Sequence, residues 1–363
     1  MAARVFPCTA CGASLRFDPG VGALVCANCG TRNERTVAAD IERAAAFEEL
    51  DYLLHLRMQA GNEAEVTPQL VTCPQCGAET GLPRGVVADA CAFCATPLVS
   101  VAAHTGRMIR PRAIVPFRVA RAAAQERFRA WIGGLWFAPN ALKHTVRSAD
   151  GVRGIYLPCW TFDARTSSNY DGARGIDRHI HEQRRDAKGN MMTVTRTVTD
   201  WYPASGHVAL VFDDTLVPAS NSIPPKLATV LTDWDVSELA PYSDDYIAGF
   251  TLEAYQLGLE PAFGEAKVNF DKGIEGAIRA DIGGNHQRIH HVSTSYDSVT
   301  FKHILLPAWI CSYRFRDRAW RVVVHGQTGA VRGDRPYSAW KIAFAVLLVA
   351  IIVSLVALFS QRG

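Results

Sequence analysis

The signatures of most enzyme classes are missing from this chain. The dipeptide Gly-Lys never occurs, so there is no G-x-x-x-x-G-K-[ST] phosphate loop and no basis for an ATP-driven motor. G-x-S-x-G, H-E-x-x-H and G-x-G-x-x-G are absent as well, which removes the usual marks of serine hydrolases, zinc proteases and dinucleotide enzymes. The opening residues MAARVFPCTACG hold no apolar secretory core. Charge excess is small: 38 Lys and Arg against 35 Asp and Glu leave +3, which by itself implies no polyanion partner. Cysteine is scarce outside two segments; of ten, only Cys159 and Cys311 lie elsewhere.

The other eight cysteines form two matched sets. Cys8, Cys11, Cys26 and Cys29 read C-x2-C-x14-C-x2-C, and Cys73, Cys76, Cys91 and Cys94 repeat that spacing 65 positions later. A C-x2-C pair on a tight turn aims two sulfurs at one point, and two such knuckles complete the S4 tetrahedron of structural zinc. Gly12, Gly30 and Gly77 follow three of the knuckles and supply the left-handed backbone the turn needs, whereas Ala95 stands at the fourth. Fourteen intervening residues suffice for a hairpin, so each set reads as a zinc ribbon. Four thiolates per site leave no open position for water, which points to two structural Zn2+ sites. Disulfides are the alternative, but the leaderless start and the low cysteine density elsewhere favour a reducing compartment.

At 363 residues, 48% apolar and 20% charged, the chain is globular and long enough for two or three domains. The expected class is α+β: a zinc ribbon over 1–34, a helical linker over 35–66, a second ribbon over 67–102, a mixed α+β unit over 110–335, and a transmembrane helix over 340–360. The linker carries Ile41, Ala44, Ala45, Leu50, Leu53, Leu54 and Met58 at near-helical spacing, with Gly61-Asn62 as a stop. A helix packed on the ribbons is expected, with a partner-binding helix as the sharper alternative.

Seven arginines (107, 110, 112, 118, 121, 127, 129) face one acid, Glu126, in residues 107–129. They could meet nucleic acid or anionic lipid. The simpler expectation is the solvated face of a helix beginning near Ala120, because Ile114, Val115, Phe117 and Phe128 interleave as core. In the α+β unit, strands are expected at Ile155–Asp163, Met191–Trp201, His207–Phe212, Ile289–Ser295, Val299–Leu306 and Ala319–His325, and a hairpin at Val324–Val331. A helix over Pro261–Ala280 places Phe263, Ala266, Phe270, Ile274, Ala277 and Ile278 on one face. Ile155-Tyr-Leu-Pro-Cys-Trp160 and Ile304-Leu-Leu-Pro-Ala-Trp309 share I-x-L-P-x-W; their prolines call for a strand edge or bulge and their tryptophans for core anchors.

No residues supply a nucleophile, a base and an orienting group together, so no catalytic or cofactor-binding set is expected; the nearest candidates are His179, His181, the Asp213-Asp214 pair and the His286–His291 group. Ile342–Phe359 is 18 residues without charge. At ~1.5 Å per residue it reaches about 27 Å, enough for a bilayer core. Trp340 is placed as an interfacial anchor. Arg332, Arg335 and Lys341 precede the span and only Arg362 follows it, so the positive-inside rule puts the N-terminal bulk in the cytoplasm, a tail-anchored topology.

Cys73-Pro-Gln-Cys-Gly77, Val115-Pro-Phe117, Gly154-Ile-Tyr-Leu-Pro-Cys-Trp-Thr-Phe162, Asp281-Ile-Gly-Gly284, Leu305-Leu-Pro-Ala-Trp309 and Gly326–Gly333 with Arg335-Pro-Tyr-Ser338 resemble the bacterial membrane-anchored TFIIB-type zinc-ribbon proteins, often labelled primosomal protein N′ or replication factor Y helicase-like. The resemblance implies a location at the bacterial inner membrane and partners of phage-shock-protein-A-like or SPFH-like type. The expected function is a membrane-anchored, non-enzymatic adaptor that binds cytosolic proteins; the alternative is a membrane-tethered nucleic-acid-binding protein.

Overall fold

The computed structural model describes residues 6–33, 47–58, 65–66, 69–81, 88–94, 96–99, 103–105, 108–142, 151–185, 191–315 and 318–360. The chain is mixed α+β. Its frame is a nine-stranded sheet. Three long antiparallel strands dominate it: β1 (Val152–Arg185), β2 (Met191–Pro218) and β3 (His286–Phe315), with β1 in the middle. At ~3.3 Å per residue, the 34 residues of β1 run for about 110 Å along the strand. Near the base, β3 pairs in parallel with Ala113–Ile114 and antiparallel with β4 (Arg318–His325), and β4 pairs with β5 (Val331–Gly333).

Side chains alternate along the blade. Thr166, Ser168, Tyr170 and Gly172 of β1 are buried, whereas Arg165, Asn169, Asp171 and Arg174 face solvent. The buried face is covered by α2 (Leu259–Ile282), introduced after α1 (Arg121–Gly133) in the chain. Phe263, Ala266, Phe270, Ile274 and Ile278 form its buried stripe, as the periodicity requires, with Ala277 half-buried. Gly283, at φ 65°, ends α2, and Gly284, at φ 76°, leads into β3. Beyond Gly175, where β3 begins at His286, β1 and β2 continue alone as a two-stranded arm.

The sequence divides this blade into separate strands, but it is continuous. Pro203 and Gly206 suggest a break before His207, yet both lie within β2. Among the described residues β2 is an edge strand paired only with β1, a position where proline is tolerated. Gly206 sits over the sheet where a Cβ would come 2.7 Å from Tyr170 Oη and Asp281 Oδ2. The Tyr170 hydroxyl donates to Asp281 at 2.5 Å, which ties α2 to the blade.

The two I-x-L-P-x-W segments pair with each other antiparallel, with Leu157 opposite Leu306. Both tryptophans are core anchors: Trp160 Nε1 donates to Leu257 O and Trp309 Nε1 to Val119 O, each at 2.9 Å. Their prolines occupy neither an edge nor a regular bulge. Pro158 stands where the outer neighbour of β1 changes from Thr251–Leu252 to β2, and Pro307 where that of β3 changes from Ala113–Ile114 to β4. A missing N–H is harmless where one partner ends and the next begins.

The linker differs from expectation. Leu50–Asp51 is a short strand on β3, followed by a helix at Tyr52–Met58. That helix packs on α2 and the sheet through Tyr52, whose ring lies 4.5 Å from Phe263 of α2 and 6.5 Å from Phe162 of β1, rather than on the ribbons. Leu53, Leu54 and Met58 are more than half exposed. Ile41, Ala44, Ala45 and Gly61-Asn62 lie outside the described residues.

Candidate metal centres

In both cysteine sets the four sulfurs lie within 4.8 Å of one another. Cys8 Sγ is 3.6 Å from Cys29 Sγ and Cys11 Sγ is 3.5 Å from Cys26 Sγ; in the second set, Cys73–Cys94 and Cys76–Cys91 stand at 3.5 and 3.6 Å. A disulfide needs about 2.05 Å, so these are free cysteines. The edge of a tetrahedron of ~2.3 Å metal–sulfur bonds is about 3.8 Å, close to what is seen. The residues therefore fit one metal ion per set.

The knuckles show why the spacing works. The amide of Gly12 donates to Cys8 O at 2.9 Å, that of Gly30 to Cys26 O at 3.0 Å and that of Gly77 to Cys73 O at 2.9 Å, all three glycines at φ 70–73°. Ala95 lies outside the described residues. Thr31 and Thr96, each two residues after a ligand, bring their hydroxyls to 3.1 and 3.2 Å from Cys29 and Cys94. The Thr31 hydroxyl draws the Cys29 thiol down to about 6, toward the thiolate a metal requires. Cys159 and Cys311 are different: burial pushes each thiol up to about 12, and among the described residues neither joins a metal-ligating cluster.

The two centres are built into the body to different depths. In the first, the Phe17 amide donates to Ala248 O at 2.9 Å and the Phe17 ring meets Tyr246 at 5.2 Å. Cys8 and Cys26 are buried there, but Cys11 and Cys29 are exposed. The second centre lies against the sheet, with Phe93 fully buried and Cys73, Cys91 and Cys94 packed beside Ile155, Leu157, Ile310 and Val323. Arg153 Nη1 donates to Ala90 O at 2.7 Å, Ser312 Oγ to Phe93 O at 2.8 Å and Gln256 Nε2 to Gly77 O at 3.1 Å. The centre is thus a structural brace of the sheet.

Glu253, 1% exposed, sits in the same junction, where Thr80 bridges to it and the Ala254 amide donates to Glu79 O at 2.9 Å. Burial pushes its carboxyl from 4.5 up to about 8. An unfolded glutamate ionises near 4.5 while the folded one keeps its proton to about 8, so wild-type stability falls as pH rises through that window. The full effect is on the order of 4 kcal/mol. Glu253→Gln is therefore expected to raise the thermal midpoint clearly at pH 8 and to leave it nearly unchanged at pH 5. Equal effects at both pH values would contradict this reading.

A third cluster was only half visible from the sequence. Glu49, Asp163 and Asp214 converge, and Lys302 Nζ reaches Glu49 Oε1 at 2.8 Å and Asp214 Oδ1 at 3.1 Å. Asp163 lies at a β-bulge and Asp214 has a left-handed backbone (φ 46°); Asp214 meets Lys302 directly, and its amide donates to Asp163 Oδ1 at 2.8 Å. Burial, then Glu49, pushes the Asp163 carboxyl up to about 7. The ammonium stands where a metal cation would, so this is an internal ion-pair network.

The histidine candidates are dispersed. His179 and His181 lie on the two-stranded arm, each with Nδ1 3.1 Å from a threonine hydroxyl, Thr197 and Thr195. His286 Nε2 is 3.1 Å from Asp177, and His290 is 4.0 Å from Asp171. Asp213 lies far along β2 from Thr195 and Thr197, toward its Pro218 end. Of the 107–129 arginines, Arg118 pairs with Glu238, Arg127 Nη1 donates to Gly329 O at 3.2 Å, and Arg110 lies over the Tyr242 ring; Arg121 and Arg129 are exposed on α1, whose Ala124, Phe128 and Ile132 are buried. Arg107 lies outside the described residues.

The last helix, α3 (Ala339–Ser360), is long and apolar enough to cross a membrane, and none of Ala339–Ala357 is buried against the rest of the chain.

No family model matches the chain, and no solved structure does. The chain is similar to the uncharacterized protein YdjG of Bacillus subtilis (strain 168), 25% identical over 341 residues, 93% of this chain and 92% of that one. A likeness of that extent cannot be confined to the cysteine segments.

Proposed function

We propose that this protein is a membrane-anchored scaffold: two zinc-braced ribbons lock a long sheet into one body, α3 holds it in the bacterial cytoplasmic membrane, and its cytosolic face binds other proteins. Zinc is favoured by closed all-cysteine coordination, which leaves no position for substrate or water. Arg332, Arg335 and Lys341 before the span favour a cytoplasmic body. The resemblance to membrane-anchored zinc-ribbon proteins supports the same reading, with phage-shock-protein-A-like or SPFH-like proteins as the class of partner.

The observation that carries the proposal is apolar surface exposed to solvent on two helices. It comprises α3 and, separately, Leu53, Leu54 and Met58 at 59%, 56% and 54% exposure. Exposed leucines on a short amphipathic helix suit a partner's groove or helix. The test is affinity purification of the full chain from detergent-solubilised native membranes. Leu53→Glu with Leu54→Glu should deplete specific co-purifying proteins at least several-fold. An unchanged set of co-purifying proteins would remove the adaptor role from this helix.

A further inference from the structure

Helix α3 does not leave the body as a free tether. The loop after α1, Gly134–Asn140, is bound across its first turn. Lys341 Nζ donates to Trp136 O at 3.0 Å, Ala138 O at 2.9 Å and Asn140 Oδ1 at 2.8 Å, using all three of its protons. The Ser338 amide donates to Phe137 O at 2.8 Å. Leu135, Ala138 and Leu142 point into the core, at 6%, 1% and 0% exposure. The loop is therefore fixed from both sides.

Its two remaining large side chains point outward. Trp136 is 73% exposed and Phe137 38%, and their rings stack at 5.8 Å. Trp340, 84% exposed, and Tyr337, 55%, flank the same turn. Among the described residues Trp136, Tyr337 and Trp340 stay more than half exposed, and Phe137 is partly covered. Lys341 is the third residue of α3 and Ser338 immediately precedes the helix, so both sets of bonds tie the loop to the helix start.

We propose that Trp136 and Phe137 form a second membrane contact, seated in the headgroup layer of the bilayer that α3 crosses, so that the body is docked on the membrane surface. The inference rests on the reading of α3 as a membrane span. A 22-residue helix is about 33 Å long, slightly more than the ~30 Å hydrocarbon core, which places its first turn at the interface. A loop clamped to that turn shares its depth. Tryptophan and other amphipathic rings prefer that layer, because one edge is apolar and the other meets water. Two footholds fix how the body stands; a lone helix would let it swivel.

The test uses the full chain reconstituted in phosphatidylcholine vesicles whose acyl chains carry bromine near the headgroup, a short-range quencher of tryptophan fluorescence. Wild type is compared with Trp136→Phe and Trp340→Phe. The expected result is that each substitution removes a quenched component of comparable size. If Trp340→Phe removes one and Trp136→Phe does not, the loop stands in water and the second contact is wrong while the anchor stands. If Trp136 is shielded from aqueous iodide but not quenched by bromine, a second protein copy covers it, which also overturns the proposal. If the wild type itself shows no bromine quenching, the membrane span fails along with it.

Discussion

Replacing Lys302 with methionine should destabilise the fold by about 2–4 kcal/mol, more at pH 8 than at pH 5. Lys302 is 7% exposed and is held by Glu49 and Asp214, with Asp163 behind them. Methionine keeps most of the volume and removes the charge, so three carboxylates face one another without a cation. Removing one partner of a buried ion pair typically costs ~3–5 kcal/mol. Glu49 and Asp214 keep about a quarter of their side-chain exposure, and solvent screening lowers the figure. The pH dependence follows from protonation. In the variant, the crowded carboxylates hold protons more tightly folded than unfolded, so acid relieves the repulsion and rising pH restores it. Denaturant unfolding of the variant at both pH values checks this; a loss that does not change with pH would show that packing, not charge, is at stake.

Breaking the second metal centre should cost more than breaking the first. Cys91, 1% exposed, lies in the apolar cluster that includes Ile155, Leu157, Ala308 and Ile310, where β1 and β3 pair at the base of the sheet. Cys91→Ser opens the brace on the sheet itself and leaves the buried thiols of Cys73 and Cys94 without their metal. Structural zinc contributes on the order of 10 kcal/mol to folding a small domain. The expected result is a drop of more than 10 °C in the thermal midpoint, or failure to fold, since about 1 kcal/mol moves the midpoint by 2–4 °C for domains of ~150–250 residues. Cys11→Ser opens a solvent-exposed corner of the first centre, and the body should melt within a few degrees of wild type. The same loss from both variants would mean that the centres brace the sheet equally.

The cysteine clusters were legible because metal ligation imposes a spacing that survives in sequence: Cys8 to Cys29 and Cys73 to Cys94 repeat down to the threonine two residues past the last ligand. Helix α2 was legible because one face is buried and the other wet. The blade was not read as one object, because its arm is solvated on both faces and carries no alternation past Gly175, and because Pro203 and Gly206 look like breaks where the neighbours are out of view. The Lys302 network was hidden for another reason. Glu49, Asp163, Asp214 and Lys302 are far apart in the chain, and only Asp214, beside Asp213, drew notice. Nor does local pattern disclose the Trp136 loop, because its exposure depends on Leu135 and Ala138 turning inward and on Lys341 some 200 residues later.

Metal content tests the account most directly. Wild-type chain purified without chelator should carry two zinc ions and Cys11→Ser one, measured by elemental analysis against protein concentration. A wild type with iron in place of zinc, or with all eight thiols free and reactive in the folded protein, would contradict the reading of two zinc-braced ribbons.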